Sequence, residues 1–208
     1  MQPIDAVMAA GPVIPVLVID DADHAVPLAQ ALLSGGVRTL EVTLRTPAAL
    51  DAIRRIAGEV EGATVGAGTV LSPADVEAAL GAGARFAVSP GLTPDLARAA
   101  AGADLPLLPG VATGSEIMRG LELGLTRFKF FPAETSGGAA AVKAFAGPFA
   151  QVRFCPTGGI TPANAPAYLA LDNVACVGGS WLAPPEAVAA GDWARVAALA
   201  RKASALRA

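Results

Sequence analysis

Short segments rich in β-branched and other apolar residues recur along the chain at nearly even spacing and predict a repeated strand-and-helix architecture. They begin near Val13, Val37, Thr64, Arg85, Pro106, Arg127, Val152 and Val174. Ala- and Leu-rich segments with helical periodicity lie between them, among them residues 25–33, 48–56, 74–80 and 116–123. Strands that alternate with helices predict a parallel sheet, and the even repeat favours a (β/α)8 TIM barrel forming one domain over residues 1–208. An open doubly wound sheet is the alternative.

Glycines and capping residues mark where the predicted helices end and begin. The stop signals are Gly35-Gly36, Gly81-Ala82-Gly83 and Gly124. The start signals are Ser72-Pro73, Thr93-Pro94, Thr113 and Thr161-Pro162. Because these starts directly follow strands, they predict short loops at the strands' C-terminal ends, where parallel barrels build their active sites. The apolar stretch 6–19 is shorter than a membrane span and is interrupted by prolines, so it is interpreted as a buried strand with its lead-in.

Composition and charge narrow the class of protein. Of the 208 residues, 53% are hydrophobic, which is enough to bury one large core, and the formal net charge is -3. Lys and Arg form no runs, so neither nucleic acid nor an anionic membrane is expected as a partner. Residues 1–7 contain no Lys or Arg, which disfavours a secretory signal and predicts a cytoplasmic protein.

The cysteines and the histidine exclude several kinds of site. Cys155 and Cys176 lie in separate apolar segments and are expected to be buried free thiols. His24 is the only histidine, which excludes His-Cys zinc sites and Ser-His triads, and its place at a helix start favours a surface or capping role. Catalysis must therefore come from Lys, Arg, Tyr, acidic groups, hydroxyls or a carboxylate-bound metal.

Lys129 is the strongest candidate for chemistry because it is embedded among aromatic residues in a predicted strand. Side chains alternate along a strand, so Phe128 and Phe130 should pack outward against helices while Lys129 points into the barrel. A poorly solvated amine is partly neutral, as nucleophilic attack on a carbonyl requires. A structural ion pair is the alternative role. The other two lysines, Lys143 and Lys202, lie in helical sequence, which favours a solvated surface position.

The second predicted strand carries a candidate partner for this lysine. Its apolar residues alternate with a polar set that should face inward, namely Thr39, Glu41, Thr43 and Arg45. A buried carboxylate is costly unless it is paired, so Glu41 is expected to neutralise Lys129 or to transfer protons beside it. Arg45, at the end of the strand, offers a fork for a substrate carboxylate, with a salt bridge to Glu41 as the alternative.

Glycine-rich segments after the last two strands predict a phosphate site. Thr157-Gly158-Gly159 follows strand seven and Gly178-Gly179-Ser180 follows strand eight. Paired glycines let backbone N–H groups approach an anion, and these two loops form the usual phosphate cradle of barrels. The sequence Gly66-Ala67-Gly68-Thr69 is an incomplete nucleotide fingerprint, so no dinucleotide is expected.

Together these segments resemble the family of 2-keto-3-deoxy-6-phosphogluconate (KDPG) aldolases and 4-hydroxy-2-oxoglutarate aldolases over nearly the whole chain. The marks are LEVTLRT at 40–46, VGAGTVL at 65–71, SPGLT at 89–93, FKFFPAE at 128–134, FCPTGGI at 154–160 and GGSW at 178–181. Each falls at the end of a predicted strand.

The resemblance implies a class I aldolase that cleaves phosphorylated KDPG to pyruvate and glyceraldehyde 3-phosphate, and also 4-hydroxy-2-oxoglutarate to pyruvate and glyoxylate. It implies that Lys129 forms the Schiff base and that Glu41 is the general acid/base, with no metal or other cofactor and a homotrimeric assembly. The implied substrate-binding residues are Arg45 and Thr69 for the pyruvyl carboxylate, Pro90 and Phe131 for its apolar wall, and Gly158, Gly159, Gly179 and Ser180 for the phosphate.

Three alternatives stay open on the sequence. A related aldolase acting on 2-dehydro-3-deoxy-6-phosphogalactonate would share the lysine and differ at the far end of the substrate. A non-catalytic phospho-ligand barrel would use Lys129 and Glu41 as a structural pair. A carboxylate-metal aldolase is disfavoured because few acidic residues other than Glu41 lie at predicted strand ends.

Overall fold

Nine short strands alternate with ten α-helices in the computed structural model, which describes residues 4–207. The strands are β1 (Val13–Leu17), β2 (Thr39–Thr43), β3 (Thr64–Gly68), β4 (Ala87–Val88), β5 (Leu107–Leu108), β6 (Gly110–Val111), β7 (Arg127–Phe130), β8 (Arg153–Pro156) and β9 (Val177–Gly179). The helices are α1 (Ile4–Ala9), α2 (Ala25–Ser34), α3 (Ala49–Glu59), α4 (Pro73–Gly81), α5 (Pro94–Gly102), α6 (Gly114–Glu122), α7 (Gly138–Phe145), α8 (Ala165–Leu169), α9 (Pro185–Ala189) and α10 (Trp193–Ser204).

All paired strands are parallel, which confirms the predicted α/β class. Six strands form one sheet in the order β5-β4-β3-β2-β1-β9, and three form a second sheet in the order β6-β7-β8. Two isolated parallel bridges, Phe154 to Val174 and Thr157 to Gly178, connect the β8 segment with the β9 segment. The parallel arrangement brings the C-terminal ends of the strands to one edge.

The fifth predicted strand is interrupted where a single strand was expected. Pro109 separates β5 from β6, because proline has no N–H to donate to a strand ladder. Its carbonyl still accepts a hydrogen bond from the Lys129 backbone N–H at 2.9 Å. The interruption therefore leaves β7 held beside β6, with Gly110 opposite Lys129.

Most helix starts lie where the capping residues predicted them. Ser72, Thr93 and Thr113 cap α4, α5 and α6 with their side chains. The fourth prediction is wrong in position, since α8 begins only at Ala165. Thr161 instead forms a turn in which its backbone N–H donates to Asn164 Oδ1 at 2.7 Å, and this local bond competes with helix initiation.

Buried apolar side chains form two groups. The larger group packs helices against the outward faces of the strands, and Phe128, Phe130 and Phe154 lie within it. A smaller inner cluster comprises Ile4, Val7, Met8, Ile14, Phe86, Val88, Leu108, Cys155 and Cys176. Both cysteines are buried thiols outside any disulfide, as predicted.

The lead-in to the first strand contains a helix that was not predicted from the sequence. Residues Ile4–Ala9 form helix α1, whose apolar side chains complete the inner cluster. Asp5 on this helix forms a salt bridge with Arg127, the first residue of β7. A short amphipathic helix thus lies at the N-terminal ends of the strands, where it buries the apolar side chains of Ile4, Val7 and Met8.

Two further observations complete the fold. His24 ends a short 3₁₀ helix before α2 and makes no side-chain cap; its ring contacts Trp193 edge-on, with centroids 5.7 Å apart. Among residues 4–207, no helix is both long and apolar enough to cross a membrane.

Candidate active site

Lys129 points away from the aromatic residues that flank it, as the alternation predicted. Phe128 and Phe130 are fully buried in the outer core, where their rings pack against Phe154. The Lys129 side chain faces the other side of the strand and is only 4% exposed. Its Nζ lies 5.0 Å from the centre of the Phe131 ring, a cation–π distance. The strand therefore holds a lysine in an enclosed, largely apolar setting.

Glu41 is the buried acidic partner of this lysine. It lies in the middle of β2, its side chain is 4% exposed, and Lys129 Nζ donates to its Oε1 at 3.4 Å. A buried ion pair is expensive to desolvate, and such pairs with loose geometry contribute little to stability. A lysine and a carboxylate at this separation can, however, exchange a proton directly or across a bound reactant.

Gly68 makes room for the Glu41 carboxylate, and sequence reasoning missed it. It ends β3 beside Thr43 of β2, and a Cβ at this position would lie 2.6 Å from Glu41 Cγ and closer still to Oε1. Any larger residue would push the carboxylate out of its place. The available signal was a glycine on the strand next to a buried acid, but Gly68 was considered only as part of a nucleotide fingerprint and of a family motif.

Arg45 and Thr69 meet at the ends of neighbouring strands. Arg45 Nε donates a hydrogen bond to Thr69 Oγ1 at 3.1 Å. Thr69 has a φ of 58°, a left-handed conformation that is uncommon for a threonine and frequent at functional sites. This turn directs the hydroxyl to the guanidinium, so the pair forms a fixed group of donors at the rim.

A cavity of about 150 Å³ brings most of the predicted site residues together. Its lining consists of Val16, Arg45, Lys129, Phe131, Thr157, Gly158, Gly159, Ile160, Gly178, Gly179 and Ser180. Glu41 and Thr69 join it through their contacts with Lys129 and Arg45. The cavity thus has an amine and an acid at its base, an arginine on one side and glycine-rich backbone on the other. Larger cavities of about 520 and 340 Å³ lie elsewhere, and one of about 300 Å³ adjoins the site through Val16 and Ser180; Lys129 lines none of these three.

Pro90 is a predicted site residue that lies outside the lining of this cavity. It follows β4, and its backbone carbonyl is packed so closely on Gly110 that a side chain at position 110 would collide with it. Gly110 in turn pairs with Lys129. Pro90 is absent from the lining of the cavity, so the structure connects it with Lys129 only through Gly110.

The glycine-rich side of the cavity is shaped to expose backbone. Gly158 and Gly159 have φ values of 100° and 77°, which residues with side chains rarely adopt. A Cβ at Gly178 would collide with the Thr157 side chain, so that glycine allows Thr157 to pack across β9. These loops can offer N–H groups to an anion without obstruction by side chains.

A parallel α/β fold with a buried lysine–glutamate pair beside a glycine-rich anion cradle is typical of enzymes that form a Schiff base with a phosphorylated keto acid. Comparison with known proteins agrees with this class. The model of the KDPG and KHG aldolase family, in which KHG is 4-hydroxy-2-oxoglutarate, matches residues 4–199. The chain belongs to this family.

Individual relatives cover nearly the whole chain. The KHG/KDPG aldolase of Escherichia coli is 58% identical over 199 residues, which are 96% of this chain and 93% of the relative. The KDPG aldolase of Zymomonas mobilis, solved with 3-phosphoglycerate, superposes with a TM-score of 0.93 at 55% identity over 98% of this chain and 96% of that one. The KDPG aldolase of Legionella pneumophila, with pyruvate captured as a covalent carbinolamine, has a TM-score of 0.95 at 50% identity and covers 98% of each chain.

Proposed function

We propose that this protein is a class I aldolase that cleaves KDPG to pyruvate and glyceraldehyde 3-phosphate, and cleaves 4-hydroxy-2-oxoglutarate to pyruvate and glyoxylate. The observation that carries the proposal is the 3.4 Å contact between Lys129 Nζ and Glu41 Oε1 beside a cavity edged by glycine loops. The covalent pyruvate adduct of the Legionella relative supports the same chemistry.

In the proposed reaction, Lys129 attacks the C2 ketone, and loss of water yields a protonated imine. The imine withdraws electrons from the C3–C4 bond, which breaks as Glu41 accepts the proton of the C4 hydroxyl. The aldehyde departs and leaves an enamine on the lysine. Protonation at C3 and hydrolysis of the imine release pyruvate and restore the amine.

The remaining residues bind the two ends of the substrate. Arg45 and Thr69 hold the pyruvyl carboxylate, and the arginine can engage it with two parallel hydrogen bonds. Phe131 and Pro90 form the apolar wall around the pyruvyl carbons. The loops that carry Thr157, Gly158, Gly159, Gly179 and Ser180 bind the phosphate through backbone N–H groups and hydroxyls.

We also propose that the strands close into a (β/α)8 barrel within a single domain. Two features support closure: β6 follows β5 after one residue, and the bridges at Val174 and Gly178 connect the two sheets at their other ends. We further propose that the protein is cytoplasmic and that its reaction requires no metal ion.

The assembly that the family suggests is a homotrimer. We expect sedimentation velocity of the purified protein to give a single species of three chain masses. A stable monomer that retains full activity would contradict this assignment.

Trapping with pyruvate and borohydride tests the proposed chemistry. We expect reduction of the imine to leave one pyruvate-derived adduct on the peptide that contains Lys129, detected by mass spectrometry. Lys129→Ala should abolish both the adduct and aldol cleavage, because among residues 4–207 Lys129 supplies the one amine that lines the cavity. The control is Lys143→Ala, which removes an exposed lysine on α7 and should retain both. Full activity in Lys129→Ala would refute the proposal.

A further inference from the structure

The back of the proposed phosphate loop rests on an acidic residue, Glu134. This residue follows the lysine strand, and its backbone N–H donates to the Gly158 carbonyl at 3.1 Å. A Cβ at Gly159 would lie 2.6 Å from Glu134 Cγ, so the glutamate stem packs directly against the loop. The carboxylate itself does not line the cavity. A negative charge thus lies one residue layer behind a site proposed to bind phosphate.

Tyr168 restrains this carboxylate. It lies on α8, is 1% exposed, and its hydroxyl donates a short hydrogen bond to Glu134 Oε1. Burial, together with the hydrogen bond and the charge of Glu134, raises the pKa of Tyr168 far above its ordinary value of 10.0. The hydroxyl therefore stays protonated, and remains a donor, at every pH at which the enzyme would work.

The other side of the loop is tied to the same region of the chain. Asn164 Nδ2 donates to the Gly159 carbonyl at 3.0 Å, while its Oδ1 accepts from the Thr161 backbone N–H. Asn164 immediately precedes α8 and Tyr168 lies within it, so one short segment contacts both the loop and Glu134. Asn164 therefore holds the carbonyl of the loop, and the hydrogen bond from Tyr168 holds the Glu134 carboxylate.

We propose that Tyr168 is a positioning residue that holds the Glu134 carboxylate away from the anion-binding loop and thereby maintains affinity for the phosphate end of the substrate. Without the hydroxyl, the carboxylate is free to rotate about its side-chain bonds toward Gly158 and Gly159. There it would repel the phosphate and compete for the same N–H donors. This inference rests on the proposed function and adds a residue that touches no substrate.

The test compares a reaction that needs the phosphate site with one that does not. KDPG cleavage uses both ends of the site, whereas exchange of the pyruvate methyl protons with solvent deuterium uses only the lysine end. In Tyr168→Phe we expect KM for KDPG to rise about five- to tenfold, because the released carboxylate would repel the phosphate, with kcat within about twofold. The rate and KM of pyruvate exchange, followed by NMR, should match the wild type.

A second substitution tests whether charge is the cause. Glu134→Gln in the Tyr168→Phe background removes the repulsion, so KM for KDPG should return to within about twofold of the wild type. The matched control is Glu77→Gln in the same background, on an exposed face of α4, which should leave KM elevated. Thermal unfolding of each variant verifies that it is folded.

The outcomes separate the inference from the function on which it rests. The inference is overturned if Tyr168→Phe slows KDPG cleavage and pyruvate exchange equally, if it leaves KM unchanged, or if Glu134→Gln fails to restore KM. In each of these cases the proposed function still stands, provided that the wild-type protein exchanges the methyl protons of pyruvate. A wild-type protein that neither exchanges pyruvate nor forms a borohydride adduct refutes the proposed function instead.

Discussion

The Glu41 carboxylate occupies space that exists only because residue 68 has no side chain. Glu41 and Gly68 lie on neighbouring strands, and the ion pair with Lys129 needs the carboxylate in this one place. Gly68 makes no chemical contribution of its own. Its role is to permit the position of a carboxylate that we propose transfers protons, so its substitution should affect catalysis more than folding.

Gly68→Ala should displace the Glu41 carboxylate and lower kcat for aldol cleavage by at least about tenfold, since displacements near 1 Å are costly in catalysis. Steady-state kinetics and the pyruvate–borohydride adduct provide the measurement. We expect the adduct to form more slowly but still on Lys129.

The matched control is Gly58→Ala, at a helical position in α3 where an added Cβ meets nothing within 4 Å. It should retain kcat and raise the free energy of unfolding by about 0.5–1 kcal/mol, because alanine favours a helix interior. Equal kcat in both variants would contradict the role of Gly68.

At the scale of elements, α6 is held at its start by a reciprocal capping box. Thr113 accepts from the Glu116 backbone N–H, and the Glu116 carboxylate accepts from the backbone N–H groups of Ala112 and Thr113 and from the Thr113 hydroxyl. Desolvation acts to raise the pKa of Glu116, but these hydrogen bonds outweigh it and lower the pKa below its ordinary 4.5. The ionised carboxylate therefore stabilises the folded state.

Glu116→Gln should lower the free energy of unfolding at about pH 7 by about 0.5 kcal/mol, the low range for an exposed charge at a helix start. The carboxylate contributes fully above the ordinary pKa of 4.5, and the contribution is lost as the pH falls through the lower folded-state pKa. Urea unfolding of both proteins should thus differ near pH 7 and converge once the pH has fallen below the folded-state pKa of Glu116. A difference in the free energy of unfolding that grows as the pH falls would contradict the stabilising role assigned to the ionised Glu116 carboxylate.

At the scale of the whole molecule, the proposed active-site residues and the packing around α1 lie at opposite ends of the strands. Lys129 and the glycine loops lie toward the C-terminal ends, whereas α1 covers the N-terminal ends and is tied to β7 by Asp5 and Arg127. Changes in α1 should consequently alter stability without altering the reaction, as is typical of parallel α/β barrels.

Met8→Ala tests this separation, because Met8 is 1% exposed within the inner cluster. It should lower the free energy of unfolding by about 2–5 kcal/mol through lost burial and a residual cavity, with kcat and KM of the folded enzyme unchanged. The control is Met118→Ala, which truncates a side chain that is 58% exposed on α6 and should change stability little. A large change in KM with Met8→Ala would show coupling between the two ends.

Local sequence determined the elements and the faces that they present. Alternation in β2 and β7 was enough to direct Glu41 and Lys129 to the same side of the sheet, and both are buried there. Three helix starts, those of α4, α5 and α6, followed from capping residues, because a cap is satisfied within one turn of chain. Helix α1 was not predicted, and the predicted start of α8 was wrong because Thr161 forms a turn with Asn164.

Tertiary structure alone decided the distances between residues far apart in the chain. The contact between Lys129 and Glu41 spans 88 positions and depends on the register of intervening strands. The space beside Gly68, the connection of Pro90 through Gly110 and the restraint of Glu134 by Tyr168 likewise arise only when separate segments meet. The periodicity of a strand involves residues that are adjacent in the chain, and it specifies the direction in which each side chain points. An active site also needs particular distances between side chains, and these are set by the packing of the whole chain.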